Sequence, residues 1–498
     1  MHSTSSYRPG ALLAVLALAG VLHSAPANAQ TLIPGVDSPP IPQGAGAGGL
    51  TAFEGARAQA DPFASPAVPR HPFMAPNGLS NIHVDAFQTD TNRTAGPLGQ
   101  TETDSAWFDH ECASITFDSR GRLVTICVGV EAPILALLDP DTLKPLAAYP
   151  LPPRVPNSAG NPFTDFSGGG YFYLDHRDRV VVPTTTRHVF VIGETDAPGF
   201  ELLRDYDLNS ALAPTDKVIS ALPDWRGRIW FASVAGVVGW IDRDSGEVHS
   251  RELGERIGNS FAVDERGSVY VVTDAALYRF RARRGKVKTQ WRREYPNTGE
   301  TKPGQTQAGS GTTPTLLARG RLVAITDNAD PVHVMAFRRA VHPRKRRKVC
   351  REPLFGKGAS ATDQSLIGAG RAIIAENNFG YSIANTEGGG TTEPGLQRID
   401  VRRRLRGCRT VWRSEEIAPS VVPKASVRAG LVYTYTKPVR DDDQDAWHLT
   451  ALDFDSGKTR WRRLAGEGLG FNNNYAPITI APDGRIYVGV LGGVTMFG

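Results

Sequence analysis

A turn followed by a β-rich strand recurs eight times along this chain, about every 52 residues. The strands begin as Arg122-Leu-Val-Thr-Ile, Arg179-Val-Val-Val, Arg228-Ile-Trp-Phe, Ser268-Val-Tyr-Val-Val, Arg321-Leu-Val-Ala-Ile, Arg371-Ala-Ile-Ile, Leu431-Val-Tyr-Thr-Tyr and Arg485-Ile-Tyr-Val. Gly precedes most of them and Asp178 precedes one. Such a period has room for four strands and their turns. An inner strand comes before the turn (residues 260–264), a third carries an apolar stretch (238–242, 450–453), and a fourth often carries a Trp: Trp291, Trp412, Trp461. One sheet of this kind cannot bury both faces alone, but sheets stacked around an axis can. The first full repeat starts at Cys112 and the last ends at Phe497 after three strands. The missing fourth is expected from residues 81–88 (NIHVDAFQ), which would leave no free edge between first and last sheets. The pattern predicts an all-β chain: an eight-bladed β-propeller of four-stranded antiparallel blades over residues 80–498, its last blade completed by an N-terminal strand.

The 52 Gly and 36 Pro fit a turn-rich fold without long helices. The net charge of +5 is mild, and Lys and Arg are spread through the hairpins, so a nucleic-acid partner is not expected. Residues 1–29 read as a signal peptide: Arg8, an apolar run over 11–25, and the small-residue pattern Ala27-Asn28-Ala29. That run is short for a membrane span, and no later stretch approaches one, so a secreted or periplasmic monomer is expected. Residues 30–79 are rich in Pro, Gly and Ala and read as a flexible leader. Their glycine-rich 44–49 lacks the flanking strand and helix that a dinucleotide loop needs.

Four cysteines in an exported chain suggest two disulfides and admit three pairings. If Asp118 faces Gly121 in its turn, Cys112 falls opposite Cys127, within bridging reach. Cys350 and Cys408 would then form the second bridge; buried free thiols are the alternative.

In the last repeat Ala451, Asp453, Ser456, Gly457, Lys458 and Trp461 follow an Ala-x-Asp, Ser-Gly-Lys, Trp spacing. This pattern resembles the repeat of the pyrroloquinoline-quinone dehydrogenase superfamily of eight-bladed propellers. Partial matches lie over 242–246, 281–291 and 400–412. The resemblance implies the fold, and for an active member a stacking Trp, a calcium site and a catalytic Asp. This chain has no adjacent cysteine pair and no Glu-Asn-Asp set at matching positions. Pyrroloquinoline quinone and calcium are therefore not assigned, and the matching residues read as structural.

In a propeller the loops entering the inner strands and those joining second to third strands share one face around the axis. The ligand-binding candidates there are Glu111, Asp165, Lys217, Asn259, Asp363, Glu376, Asn377, Lys424 and Asn474. Carboxylates, amides and lysines converging on one axis make a polar pocket; the competing reading is a water-filled channel lining. Asp441-Asp442-Asp443 with Asp445 lacks the spacing of a calcium loop, so no metal ligand is assigned. The basic run 344–348 is expected in a solvated hairpin on the opposite face. No nucleophile elbow, His-Glu-x-x-His or Cys-x-x-Cys is present; His110, beside Glu111, is the histidine nearest the expected channel. The sequence thus supports a secreted propeller that binds a small ligand or protein partner at its axis. An enzyme using the same pocket and a cell-envelope scaffold are the alternatives.

Overall fold

The computed structural model of this protein describes residues 30–33, 41, 49–129, 132–154 and 164–498. The signal peptide expected over 1–29 lies outside the described residues. Eight antiparallel sheets succeed one another around a common axis, forming the β-propeller. Blade 1 comprises Glu111–Phe117, Leu123–Val128, Pro133–Leu138 and Pro145–Pro150, from the axis outward. Blade 6 comprises Ile367–Ala369, Ala372–Glu376, Leu396–Val401 and Cys408–Ser414. A blade has neighbours on both faces, so its middle strands are apolar throughout. Ile229–Ser233 and Val237–Ile241 of blade 3 are buried at every residue, while the outer Val248–Glu252 is mostly exposed. Each buried Val, Ile or Phe contributes about 1.5–3 kcal/mol, which explains the β-branched runs that mark the repeat. Trp291, Trp412 and Trp461 do lie on outer strands, and all three are buried.

Four of the recurring turns share one chemistry. Oδ1 of Asp118, Asp175, Asp224 and Asp264 accepts the backbone N–H groups two and four residues on, at 2.8–3.3 Å. In the first three, Oδ2 also accepts from the following Arg Nε at 2.6–2.8 Å. The residue before that Arg has positive φ: Gly121 (81°), Gly227 (84°) and Asp178 (57°). Asp is one of the few other residues that adopt this conformation. In the last repeat Asp453 accepts from the N–H and hydroxyl of Ser456 at 2.8 and 2.6 Å. A Cβ on Gly457 would stand 2.5 Å from the Trp412 ring. These residues build a turn and an inter-blade contact.

The ring closes differently from the sequence expectation. The fourth strand of blade 8 is Thr103–Trp107, paired from Thr103 opposite Phe497 to Trp107 opposite Gly493. Residues 81–88 form no strand. Val84, Gln88 and Asp90 have φ of 77°, 56° and 50°, which an extended edge cannot accommodate.

Both disulfides are present: Cys112–Cys127 within blade 1, and Cys350–Cys408 between the outer strands of blades 5 and 6. In the blade 1 hairpin Phe117 faces Leu123, one residue out of the register read from Asp118 and Gly121. A bulge between Glu111 and Ser114 restores it, and Cys112 meets Cys127 with Cα atoms 3.8 Å apart.

The Pro/Gly/Ala-rich stretch is laid across the face that carries the first turns. Phe53–Gly55 adds an outer strand to blade 7 beside Thr459–Glu467. Phe63 stacks on Phe454 at 3.6 Å, His71 packs on Trp225 at 4.0 Å, and Ala75 N–H reaches Leu174 O in blade 2 (2.9 Å). The chain then turns into the axis. Inner strands are sheet edges whose N–H groups need acceptors. Leu174, Val263, Leu316, Gly368 and Ala425 donate to the carbonyls of Ser80, Ala86, Phe87, Thr89 and Asp90 at 2.8–3.0 Å. Residues 80–92 thus plug the channel, satisfying inner strands of five blades. Among the described residues no helix is long and apolar enough to cross a membrane.

Candidate functional site

Above the plug lies a cavity of ≈ 60 Å³, with Ile82 and His83 of the plug at its base. At about 10–15 Å³ per water it holds a handful of waters or one small ligand group. Beneath the plug a wider cleft of ≈ 410 Å³ opens on the opposite face. Of the nine candidates read from the sequence, Glu111, Asp165, Asn259, Asp363 and Asn474 line the cavity. Glu111 opens the inner strand of blade 1, and the other four come from the loops entering inner strands, whose position is fixed by the blade template.

Their electrostatics differ. Glu111 is buried and accepts from Asn474 Nδ2 at 3.0 Å. Burial outweighs that bond and pushes its carboxyl up to about 8. Asp363 is pushed up to about 7 by burial, against the Thr306 N–H and hydroxyl that donate to it at 3.1 and 3.0 Å. Burial also acts on Asp165, but Lys217 Nζ at 2.6 Å and Ser167 hold it below the usual carboxylate range. Lys217 therefore serves the wall as the partner of Asp165. Asn259 donates to Ser310 O at 3.2 Å, and Asn474 accepts from the Tyr381 hydroxyl at 3.0 Å.

The other three stand outside the cavity. Glu376 is buried behind the wall, bonded to Asn378 (3.0 Å) and Thr434 (3.3 Å), with its carboxyl raised by burial. Asn377 pins backbone, donating to Ala359 O and Pro394 O at 3.0 Å. Lys424 lies in an inner strand of blade 7 and points at the plug, where its ammonium meets Asp90 Oδ1 at 2.5 Å. The Asp-rich loop forms no acid cluster: Asp442 pairs with Arg440, and Asp445 with Lys437 at 2.9 Å. His110 is buried with Nδ1 against Phe108 O at 2.9 Å and does not line the cavity.

Sequence reading missed what the plug and the residue 154 region bring. His83 Nδ1 lies 3.2 and 3.1 Å from the two Asp90 oxygens, and its Nε2 lies 3.2 Å from Ser365 Oγ. Arg154 donates to Asp165 O, while its Nε and Nη1 are buried without a hydrogen-bond partner among the described residues. Phe166 and Tyr475, in edge-to-face contact at 5.2 Å, are half-buried and line the cavity. Neither signal has a local periodicity.

The lining fits a quinone and calcium poorly. The described lining contains no Trp to stack on, and its carboxyls Glu111 and Asp363 are held by burial toward the neutral form that binds cations weakly. Among the described residues no three His, Cys, Asp or Glu side chains converge as metal ligands.

On the opposite face, Arg266, Arg321, Arg338, Arg371 and Arg404 border a groove of ≈ 600 Å³ with Arg344 and Lys345 of the basic run; among the described residues no acidic side chain lines it. The charge that is dispersed in sequence gathers beneath blades 4 to 6. Arg347 of the same run is instead buried, donating to Val341 O at 2.7 Å and lying over Trp291.

No family model matches this chain. An uncharacterized protein of Archaeoglobus fulgidus is 30% identical over 312 residues, 56% of this chain and 60% of that protein. The chain therefore spans less than two thirds of the length of that relative. Among solved structures, BamB from Moraxella catarrhalis is 13% identical with a TM-score of 0.46, over 77% of this chain and 90% of that one. A chain of a mitotic checkpoint complex is 11% identical (TM-score 0.39; 67% and 89% covered). A streptogramin B lyase is 12% identical (TM-score 0.36; 64% and 89% covered). The fold stands on the sheet topology described above, and these likenesses add no functional residue.

Proposed function

We propose that this protein is an exported propeller whose axial cavity binds a small carboxylate. The observation that carries the reading is Arg154. Its charge is only partly matched, whereas Asp165 of the same lining is paired with Lys217. Glu111 and Asp363 are held toward neutrality, so they leave the guanidinium available. Arg is the side chain best suited to a carboxylate, and burial strengthens the contact. The two disulfides suit an oxidising compartment. Calorimetric titration with acetate near pH 6 tests the reading. Arg154→Gln should weaken binding about 10–100-fold, the worth of a lost charged hydrogen bond. Equal heats from wild type and Arg154→Gln would refute it. Binding should also weaken as pH rises through about 7 and 8, because ionised Asp363 and Glu111 repel the ligand.

The arginine groove supports a second reading, docking on an anionic envelope surface. Vesicles containing phosphatidylglycerol should carry the protein upward in flotation at low salt and release it at high salt. Arg321→Ser/Arg371→Ser should reduce flotation; salt-independent association would argue against this reading.

A further inference from the structure

We propose that Ser365, His83 and Asp90 form a nucleophile, base and carboxylate that hydrolyse small acyl esters in the axial cavity. The inference rests on the carboxylate-binding reading of the same cavity, since an acid is the product. The geometry comes from two remote parts of the chain. Ser365 lies at the entry to the blade 6 inner strand, and His83 and Asp90 belong to the plug. Both Asp90 oxygens face His83 Nδ1, at 3.2 and 3.1 Å. A carboxylate there accepts from Nδ1–H and so leaves Nε2 as the acceptor. Nε2 is 3.2 Å from Ser365 Oγ, whose hydroxyl has no other hydrogen bond among the described residues. Asp90 is anchored by Lys424 at 2.5 Å, which holds the carboxylate in place. Ser365 and His83 both line the cavity. A mere latch for the plug would need one hydrogen bond; this arrangement also aims an activated hydroxyl at ligand space.

The chemistry needs only water. Ser365 Oγ bonds to the acyl carbon while its proton passes to His83 Nε2. The ester C–O bond then breaks, and the departing alcohol takes that proton. Water attacks the acyl-serine, giving a proton to His83. The acyl–Oγ bond breaks, Oγ regains the proton, and a carboxylic acid is released. Negative charge on the acyl oxygen develops in the cavity that Arg154 lines. A volume of ≈ 60 Å³ limits the acyl group to about acetyl size.

The test treats the full-length mature protein with a small ethyl fluorophosphonate and locates the adduct by peptide mass spectrometry. The expected result is an adduct on Ser365, absent in Ser365→Ala and formed about 100-fold or more slowly in His83→Gln. A folded wild type without a Ser365 adduct overturns the proposal, as does an unchanged rate in a folded His83→Gln. Should His83→Gln not fold, a solvent deuterium isotope effect on wild-type labelling supplies the same information, and its absence overturns the proposal. A wild type that binds acetate but is not labelled refutes the relay and leaves the binding reading intact; labelling without acetate binding does the reverse.

Discussion

Replacing Lys424 with Met should destabilise the protein by about 3–5 kcal/mol, the cost of leaving one partner of a buried ion pair alone. Lys424 and Asp90 are 2% and 0% exposed and 2.5 Å apart, so solvent screens them little. Burial pulls the Lys424 ammonium down, and Asp90 works against that pull. Met matches the aliphatic stem, so the loss is electrostatic rather than a cavity. Unfolding entropy near 2.1 cal/mol/K per residue, over roughly 400 residues, gives about 0.8 kcal/mol/K, so Tm should fall by about 4–6 °C. The control is Asp90→Asn/Lys424→Met, which removes both charges and should recover most of the loss. Scanning calorimetry of the three proteins measures this. A single variant within about 0.5 kcal/mol of wild type, or a double variant worse than the single, would refute the claim that this pair anchors the plug.

Burial raises Glu111 and Asp363 above their unfolded values of 4.5 and 3.8, to about 8 and about 7. The folded protein then holds protons that the unfolded chain has released, so stability is greatest below the unfolded values and falls as pH rises through the folded ones. Glu111→Gln should flatten the fall of Tm between about pH 5 and 8, and an unchanged slope would count against a raised Glu111. Cys350→Ser/Cys408→Ser opens a bridge spanning 58 residues and should cost about 4 kcal/mol in chain entropy, read by urea denaturation; a cost below about 1 kcal/mol would contradict that accounting. Gly489→Ala places a Cβ 2.2 Å from Cys112 O, where blade 8 meets blade 1, and should cost at least about 1–3 kcal/mol; a neutral substitution would show that the seam is looser than described.

The ring was legible because its information is local. Each turn declares itself within five residues by a residue of positive φ, often with an Asp before it and an Arg after it, and the strands after it are apolar because two blades flank them. The same template placed Glu111, Asp165, Asn259, Asp363 and Asn474 at the axis, since each opens or precedes an inner strand. It misjudged Lys424, which lies within its inner strand and faces the plug. It also misjudged Glu376 and Asn377, which serve the wall behind the cavity. The plug itself was illegible. Residues 80–92 bond to five blades distant in sequence and have no period of their own. Their alternating apolar residues imitate a strand, whereas the true closing strand, Thr103–Trp107, is short and polar. Ser365 gave no motif because its partner His83 lies 282 residues away.

The cavity has a floor only if residues 80–92 occupy the axis. Hydrogen exchange read by mass spectrometry tests this through the inner-strand amides of Val263, Leu316, Gly368 and Ala425, which donate to the plug. They should exchange as slowly as the amides of the middle strands. Exchange within seconds, while the middle strands stay protected, would mean an open channel and would contradict the floor, the cavity and the chemistry assigned to it.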